Sequence, residues 1–289
     1  MKNIKNITKK PDWIKINAKF NNNYKTIKNI INNHKLNTVC YSSACPNITY
    51  CWGKKIATFL IMGNQCSRFC KFCNIKTNKQ PPPLDKDEPN HLAQAIKTMK
   101  LHHVTITSVT RDDLDDKGAN HYSKCIIEIK NKSPNSSIEI LTPDFSGKTK
   151  LLDIVLQTNP NIFNHNIETT KQLSPKIRPQ SSYNRSLKVL QYAKKKYPNI
   201  KIKSGLMLGL GESIEDVKNT LIDLQQIKVD FITIGQYLRP TSKNINVMKY
   251  ITPDQFKQLS KFAYKLGFSH VVSSPFARST LNAEESINI

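Results

Sequence analysis

Ala57-Thr-Phe-Leu-Ile-Met62-Gly-Asn-Gln65-Cys66-Ser-Arg-Phe-Cys70-Lys-Phe-Cys73 is the stretch on which the reading of this chain turns. Residues 57–62 are an almost unbroken apolar run, Gly63-Asn-Gln65 reads as a turn, and three thiols follow at spacing C-x3-C-x2-C. A short buried strand ending in a cysteine-bearing loop accounts for this order. Thiolates this close are metal ligands or disulfide partners. A closed zinc site takes four ligands. Three cysteines on an iron–sulfur cluster instead leave one iron without a protein ligand, and an open iron is where a substrate or cofactor binds.

A second triplet lies upstream. Cys40-Tyr-Ser-Ser-Ala-Cys45-Pro-Asn-Ile-Thr-Tyr-Cys51 has spacing C-x4-C-x5-C and is followed by Trp52-Gly53. Six cysteines do not divide into tetrahedral fours, which argues against shared zinc. The seventh, Cys125, sits beside Ile126 and Ile129 in a helical pattern and reads as packing.

Beyond the cysteine loop, strands and helices alternate. Strand candidates are 57–62, 103–107, 138–141, 162–166, 200–208, 231–235 and 270–273. Between them lie amphipathic patterns such as Leu92, Ala95, Ile96 and Met99. Ser213 with Asp216 opens one helix. Thr252-Pro-Asp-Gln255 opens another as a capping box, and Gly267 ends it. Alternating β and α implies a parallel sheet, and six or so repeats predict an α/β fold of partial (β/α)6 TIM-barrel type. The expected division is an N-terminal extension over 1–55, the barrel over 56–268 and a C-terminal extension over 269–289 that closes over the site. Residues 1–39 are polar and read as a mostly extended or partly helical arm, with a short helix over 24–33.

Chemistry in such a barrel sits at the C-terminal strand ends. The sequence gathers polar residues there: Thr107, Ser108, Arg111 and Asp113 after the second strand, Thr142 and Asp144 after the third. His165, Asn166 and Glu168 follow the fourth, Ser204 and Glu212 mark the fifth, and Gln236, Tyr237 and Arg239 the sixth.

Composition narrows the class. The chain has 289 residues, 38% of them hydrophobic. No apolar run approaches the roughly 20 residues of a membrane span, and the first ten residues lack the apolar core of a signal peptide. A cytoplasmic protein with no membrane partner is expected, and seven cysteines in that setting point to metal or redox chemistry. The net charge of +23 raises nucleic acid as a partner. Only six of the 44 basic residues are arginine, however, and the lysines are scattered. That pattern reads as compositional bias, so nucleic acid is not favoured.

From Cys40 to Glu285 the chain resembles the lipoyl synthases, a family of radical SAM enzymes. The resemblance rests on both triplets, on 107–113, on Pro143-Asp144-Phe145, on Phe163-Asn-His-Asn-Ile-Glu168, on 204–212, on 233–240 and on Arg278-Ser279. The C-x4-C-x5-C set is the most specific of these; C-x3-C-x2-C alone indicates only radical SAM chemistry.

The resemblance implies two 4Fe-4S clusters and S-adenosyl-L-methionine. The cluster on Cys66, Cys70 and Cys73 passes an electron to S-adenosylmethionine, and the resulting 5′-deoxyadenosyl radical takes hydrogen from carbons 6 and 8 of a protein-bound octanoyl chain. The auxiliary cluster on Cys40, Cys45, Cys51 and, by the family pattern, Ser279 supplies both sulfur atoms. Thr107, Ser108, Asn166, Glu168, Arg178, Ser204 and Gln236 are the implied cofactor-binding positions. The implied partners are octanoylated lipoyl carrier domains of 2-oxoacid dehydrogenase complexes or the glycine cleavage H protein, an electron donor such as flavodoxin or ferredoxin, and an iron–sulfur carrier protein. The tail departs from the family: Arg-Ser-Ser-Tyr reads Arg278-Ser279-Thr280-Leu281, and no glycine precedes Pro275. Two alternatives remain open at this point, a radical SAM methylthiotransferase acting on tRNA and a zinc-binding module without catalysis.

Overall fold

The structure is a computed structural model, and it describes residues 10–15 and 20–280. The first nine residues of the polar arm and the tail from Leu281, including Glu285, lie outside the described residues.

Short runs of β-branched and apolar residues make the strands, which is the pattern of a parallel sheet covered on both faces. They are β1 (Asn37–Thr38), β2 (Thr58–Ile61), β3 (Gln65–Cys66), β4 (Lys76–Thr77), β5 (His103–Ser108), β6 (Ser137–Leu141), β7 (Ile162–Asn164), β8 (Lys201–Leu208), β9 (Phe231–Gln236) and β10 (His270–Ser274). One eight-stranded sheet has the order β1-β2-β5-β6-β7-β8-β9-β10. All of its neighbours are parallel except β1, which pairs antiparallel with β2. The sheet does not close, so the fold is an open, mostly parallel α/β sheet, as the alternation predicts. β3 and β4 form a separate two-stranded ribbon around the cysteine loop.

Helices cover the sheet because their apolar stripes match its outer face. The capping boxes expected at Ser213/Asp216 and Thr252/Gln255 both form, and Gly267 ends its helix at φ +101°. Leu92, Ile96, Ile126, Leu221 and Leu224 are fully buried within one continuous core.

Two features extend the sequence reading. The N-terminal region holds a helix over Asn22–Asn33 and short helices over Val39–Ser42 and Ile48–Gly53 that carry Cys40 and Cys51, with Cys45 in the turn between them. The chain past residue 268 continues the sheet: β10 pairs with β9 from His270↔Phe231 to Ser274↔Gly235.

Candidate active site

Both triplets face one cavity of about 580 Å³ at the C-terminal ends of the strands. The downstream triplet lies in the loop after β2. Met62 turns that loop with φ 66° and Gly63 with φ +86°, and the freed Met62 N–H is held by the Glu88 carboxylate at 2.8 Å. Backbone amides point at the sulfurs. Arg68 N and Thr110 N donate to Cys66 Sγ at 3.4 Å each, and Ile75 N donates to Cys73 Sγ at 3.4 Å. Donors aimed at sulfur favour a thiolate, whereas burial opposes one, pushing Cys70 up to about 11 and Cys73 up to about 12. A metal resolves the conflict, because a coordinated thiol gives up its proton.

The upstream triplet sits across the same cavity. Burial and the neighbouring Cys45 push the Cys40 thiol up to about 11. The tail reaches it from β10. Asn47 Nδ2 donates to the Phe276 carbonyl at 2.8 Å, and the Thr58 and Thr280 hydroxyls bond at 2.8 Å. Arg278, Ser279 and Thr280 therefore line the cavity beside Cys40, Cys45 and Cys51. Among the described residues, no group of three or more His, Cys, Asp and Glu is placed to hold a single metal ion. Sulfur donors, amides aimed at sulfur and an open cavity between the triplets fit iron–sulfur clusters.

Between the triplets lie most of the other expected positions. Glu168 takes a left-handed backbone, φ 65°, rare for a side chain of its kind and typical of functional sites. The turn is held because Glu168 N donates to Gly205 O and Met207 N donates to Glu168 O, each at 2.9 Å. Burial pushes its carboxyl up, opposed by Arg178. Arg178 donates from Nη1 to the Ile167 carbonyl at 2.9 Å, and it forms no ion pair among the described residues. Asn166 Nδ2 donates to Glu168 Oε1 at 3.1 Å and to Ser279 Oγ at 2.9 Å. Thr107 and Ser108 line the cavity, with the Tyr122 phenol beside both side chains.

Two expected positions do not reach the cavity. Ser204 is fully buried and bonds between the His165 carbonyl and the Ile167 N–H. Gln236 is fully buried too, its amide nitrogen serving the carbonyls of Leu208, Tyr237 and Lys249 while its oxygen accepts from Ile251 N. Both hold neighbouring loops in place from behind. Neither is among the residues that line the cavity, and their polar atoms are taken up by neighbouring main chain.

The pattern of the Radical SAM superfamily matches residues 60–224, more than half of the chain. A lipoyl synthase of Phocaeicola vulgatus is 48% identical over 282 residues, 98% of either chain. The chain belongs to the lipoyl synthase family. Solved structures agree on the fold. Methylornithine synthase matches with a TM-score of 0.58 at 14% identity, over 80% of this chain and 77% of that one. Streptococcus suis SuiB bound to S-adenosylmethionine matches with a TM-score of 0.59 at 12% identity, over 78% and 53%. Membership of the lipoyl synthases sets aside both the tRNA and the zinc-module readings. For a lipoyl synthase, no helix among the described residues is long and apolar enough to cross a membrane, in line with the absence of apolar runs in the sequence.

Sequence reasoning missed several residues of this site. Asn47 and Thr58 tie the tail to the upstream triplet, and both lie in or beside motifs that were read only for their cysteines. The sequence assigns Arg68 no role, although it lies buried among carboxylates.

Proposed function

We propose that this protein inserts two sulfur atoms at carbons 6 and 8 of an octanoyl chain amide-linked to a lysine of a lipoyl carrier domain. The observation that carries the reading is the meeting of two separate cysteine triplets and the 278–280 tail in one cavity. Unactivated C–H bonds resist acid–base chemistry, so a cofactor must supply the reactivity. When bound, the two clusters supply an electron for S-adenosylmethionine cleavage on one side and sulfur on the other.

The chain's own residues then bind, orient and exclude water. Cys66, Cys70 and Cys73 hold the cluster that faces S-adenosylmethionine. The Arg178 fork suits the methionine carboxylate, as guanidinium matches carboxylate in two bonds. In this reading Glu168 accepts from and Asn166 donates to the nucleoside, and Thr107 and Ser108 line the same cavity. Ser204 and Gln236 brace these loops. Cys40, Cys45 and Cys51 hold the sulfur-donating cluster, and the Ser279 oxygen is its fourth ligand. Oxygen binds iron less firmly than thiolate does, which suits a cluster that must give up sulfur.

The partners in this reading are octanoylated domains of 2-oxoacid dehydrogenase complexes or the glycine cleavage H protein, a flavodoxin or ferredoxin reductant, and an iron–sulfur carrier that rebuilds the donor cluster, all in the cytoplasm. In this reading the 56–268 segment is the radical SAM part of the chain, and β10 after it extends the same sheet. The test is anaerobic reconstitution with S-adenosylmethionine, reductant and an octanoylated lipoyl domain, followed by intact mass. A gain of two sulfur atoms with loss of two hydrogens is expected. Unchanged octanoyl domain alongside full 5′-deoxyadenosine release would overturn the reading.

A further inference from the structure

Arg68 is the only charged residue inside the Cys66–Cys70 interval, and its surroundings are unusual. Its side chain is 5% exposed. Nε donates to Asp112 Oδ2 at 2.5 Å, and Nη2 to Asp112 Oδ1 at 2.9 Å and to Asp144 Oδ1 at 2.8 Å. Nη1 donates to Ser181 Oγ at 3.2 Å. All three guanidinium nitrogens are therefore used. Asp144 is fully buried and also accepts from Arg185 Nε at 2.7 Å and from Ser146 N at 3.0 Å.

Two arginines and two aspartates form a neutral four-member network, drawn from four separate segments of the chain. Burying such charges is tolerated only when each is paired and hydrogen-bonded. The Arg68 charge holds Asp144 well below the usual carboxylate range despite burial.

The network ends at the metal site. The Arg68 main-chain N–H donates to Cys66 Sγ. Ser67 next to it donates its hydroxyl to Thr110 O and accepts from Asp112 N, each at 2.9 Å. We propose that Arg68, caged by Asp112, Asp144 and Ser181, is a positioning residue that fixes the cluster loop and sets the reduction potential of the cluster held by Cys66, Cys70 and Cys73.

The physical basis is twofold. The cage prevents residue 68 from rotating, so its N–H stays aimed at sulfur. The four charges cancel, so removing one leaves an uncompensated charge beside the cluster. Loss of Arg68 leaves an excess negative charge, which disfavours adding an electron. Loss of an aspartate charge leaves an excess positive one, which favours it. A role limited to packing predicts no such opposition of sign.

The proposal depends on the radical SAM cluster reading but not on sulfur insertion, so the experiment leaves the latter out. In a Cys40→Ala/Cys45→Ala/Cys51→Ala background, the single remaining cluster is titrated reductively and followed by electron paramagnetic resonance, with iron content measured in parallel. Arg68→Gln is expected to lower the potential, and Asp112→Asn, at the more exposed end of the network, to raise it. Each shift should correspond to about a tenfold change in the reduction equilibrium, ~59 mV for one electron. Arg68→Lys, which restores the charge without the fork, should recover most of the potential but not the rate of 5′-deoxyadenosine release. If Arg68→Gln fails to hold iron, the sign of the Asp112→Asn shift decides alone. Shifts of the same sign, or none at full iron content, would overturn the proposal. A parent protein that binds no iron at 66–73 would overturn it together with the cluster reading.

Discussion

Cys45 and Cys70 face one cavity from different triplets, so single substitutions separate their roles. Cys70→Ala is expected to abolish 5′-deoxyadenosine formation. Cys45→Ala should still cleave S-adenosylmethionine and add no sulfur; each change should remove about half the bound iron, measured by chromatography and metal analysis. Cys125→Ser should leave both activities intact, since that thiol is fully buried in a helix packed against the core. His165 offers a prediction of another kind. Its Nδ1–H donates to the Thr142 carbonyl and its Nε2 accepts from the Ser186 hydroxyl, both at 2.9 Å, which fixes the neutral tautomer. Burial, with the Arg178 charge, pushes its pKa down from 6.5 to about 4. The unfolded chain therefore takes up a proton between those two values that the folded chain refuses. Stability from this residue is complete above pH 6.5 and is lost as pH falls toward 4, on the order of 3 kcal/mol in all. His165→Gln keeps one donor and one acceptor, and its melting temperature should vary less between pH 4.5 and 7 than the parent's. Identical slopes would assign the acid sensitivity to other groups.

The β9 strand and the tail that crosses it show how an element carries a site. A Cβ placed on Gly235 would lie 2.2 Å from the Ala277 carbonyl oxygen and 3.2 Å from Arg278 Nη1. The obstacle is backbone, so the tail must move if residue 235 gains a side chain. Gly235→Ala is expected to cut sulfur insertion at least tenfold while 5′-deoxyadenosine release stays within about twofold of the parent. Equal losses in both would mean that the change disturbs the whole sheet. The seven parallel strands were legible because each is a compact apolar run, and their ends agree with the sequence reading to within a residue or two. β1 was not, since Asn37-Thr38 carries no strand signal and pairs only because β2 presents a free edge. The short helices around the upstream triplet were equally hidden, being four and six residues long. The site's cysteines stand out by motif spacing, and Glu168 and Arg178, which only the resemblance implies, also line the cavity. Spacing does not tell which face a side chain takes, which is why Ser204 and Gln236 were expected in the cavity. A four-charge network such as that of Arg68 is assembled from segments up to 117 residues apart and leaves no local pattern.

For the molecule as a whole, the charge of +23 is the property most open to experiment. If scattered lysines steer an acidic carrier domain, association should slow as salt rises, because the Debye length is only about 8 Å at physiological ionic strength. Turnover of a short octanoyl-lysine peptide should respond much less, and stopped-flow rates for both substrates across a salt series make the comparison. Equal sensitivity would mean that the charge plays no part in recognition. The ties between Asn47 and Phe276 and between Thr58 and Thr280 join residues 229 and 222 positions apart. Contacts of such sequence separation form late, since the intervening chain must be ordered first. During synthesis, the downstream loop finds supports at Asn244 and Ile245, whereas the upstream triplet waits for residues 276–280 to emerge. Maturation thus has a built-in order: a nascent chain halted at residue 275 should already accept iron at 66–73 and fail to retain it at 40–51.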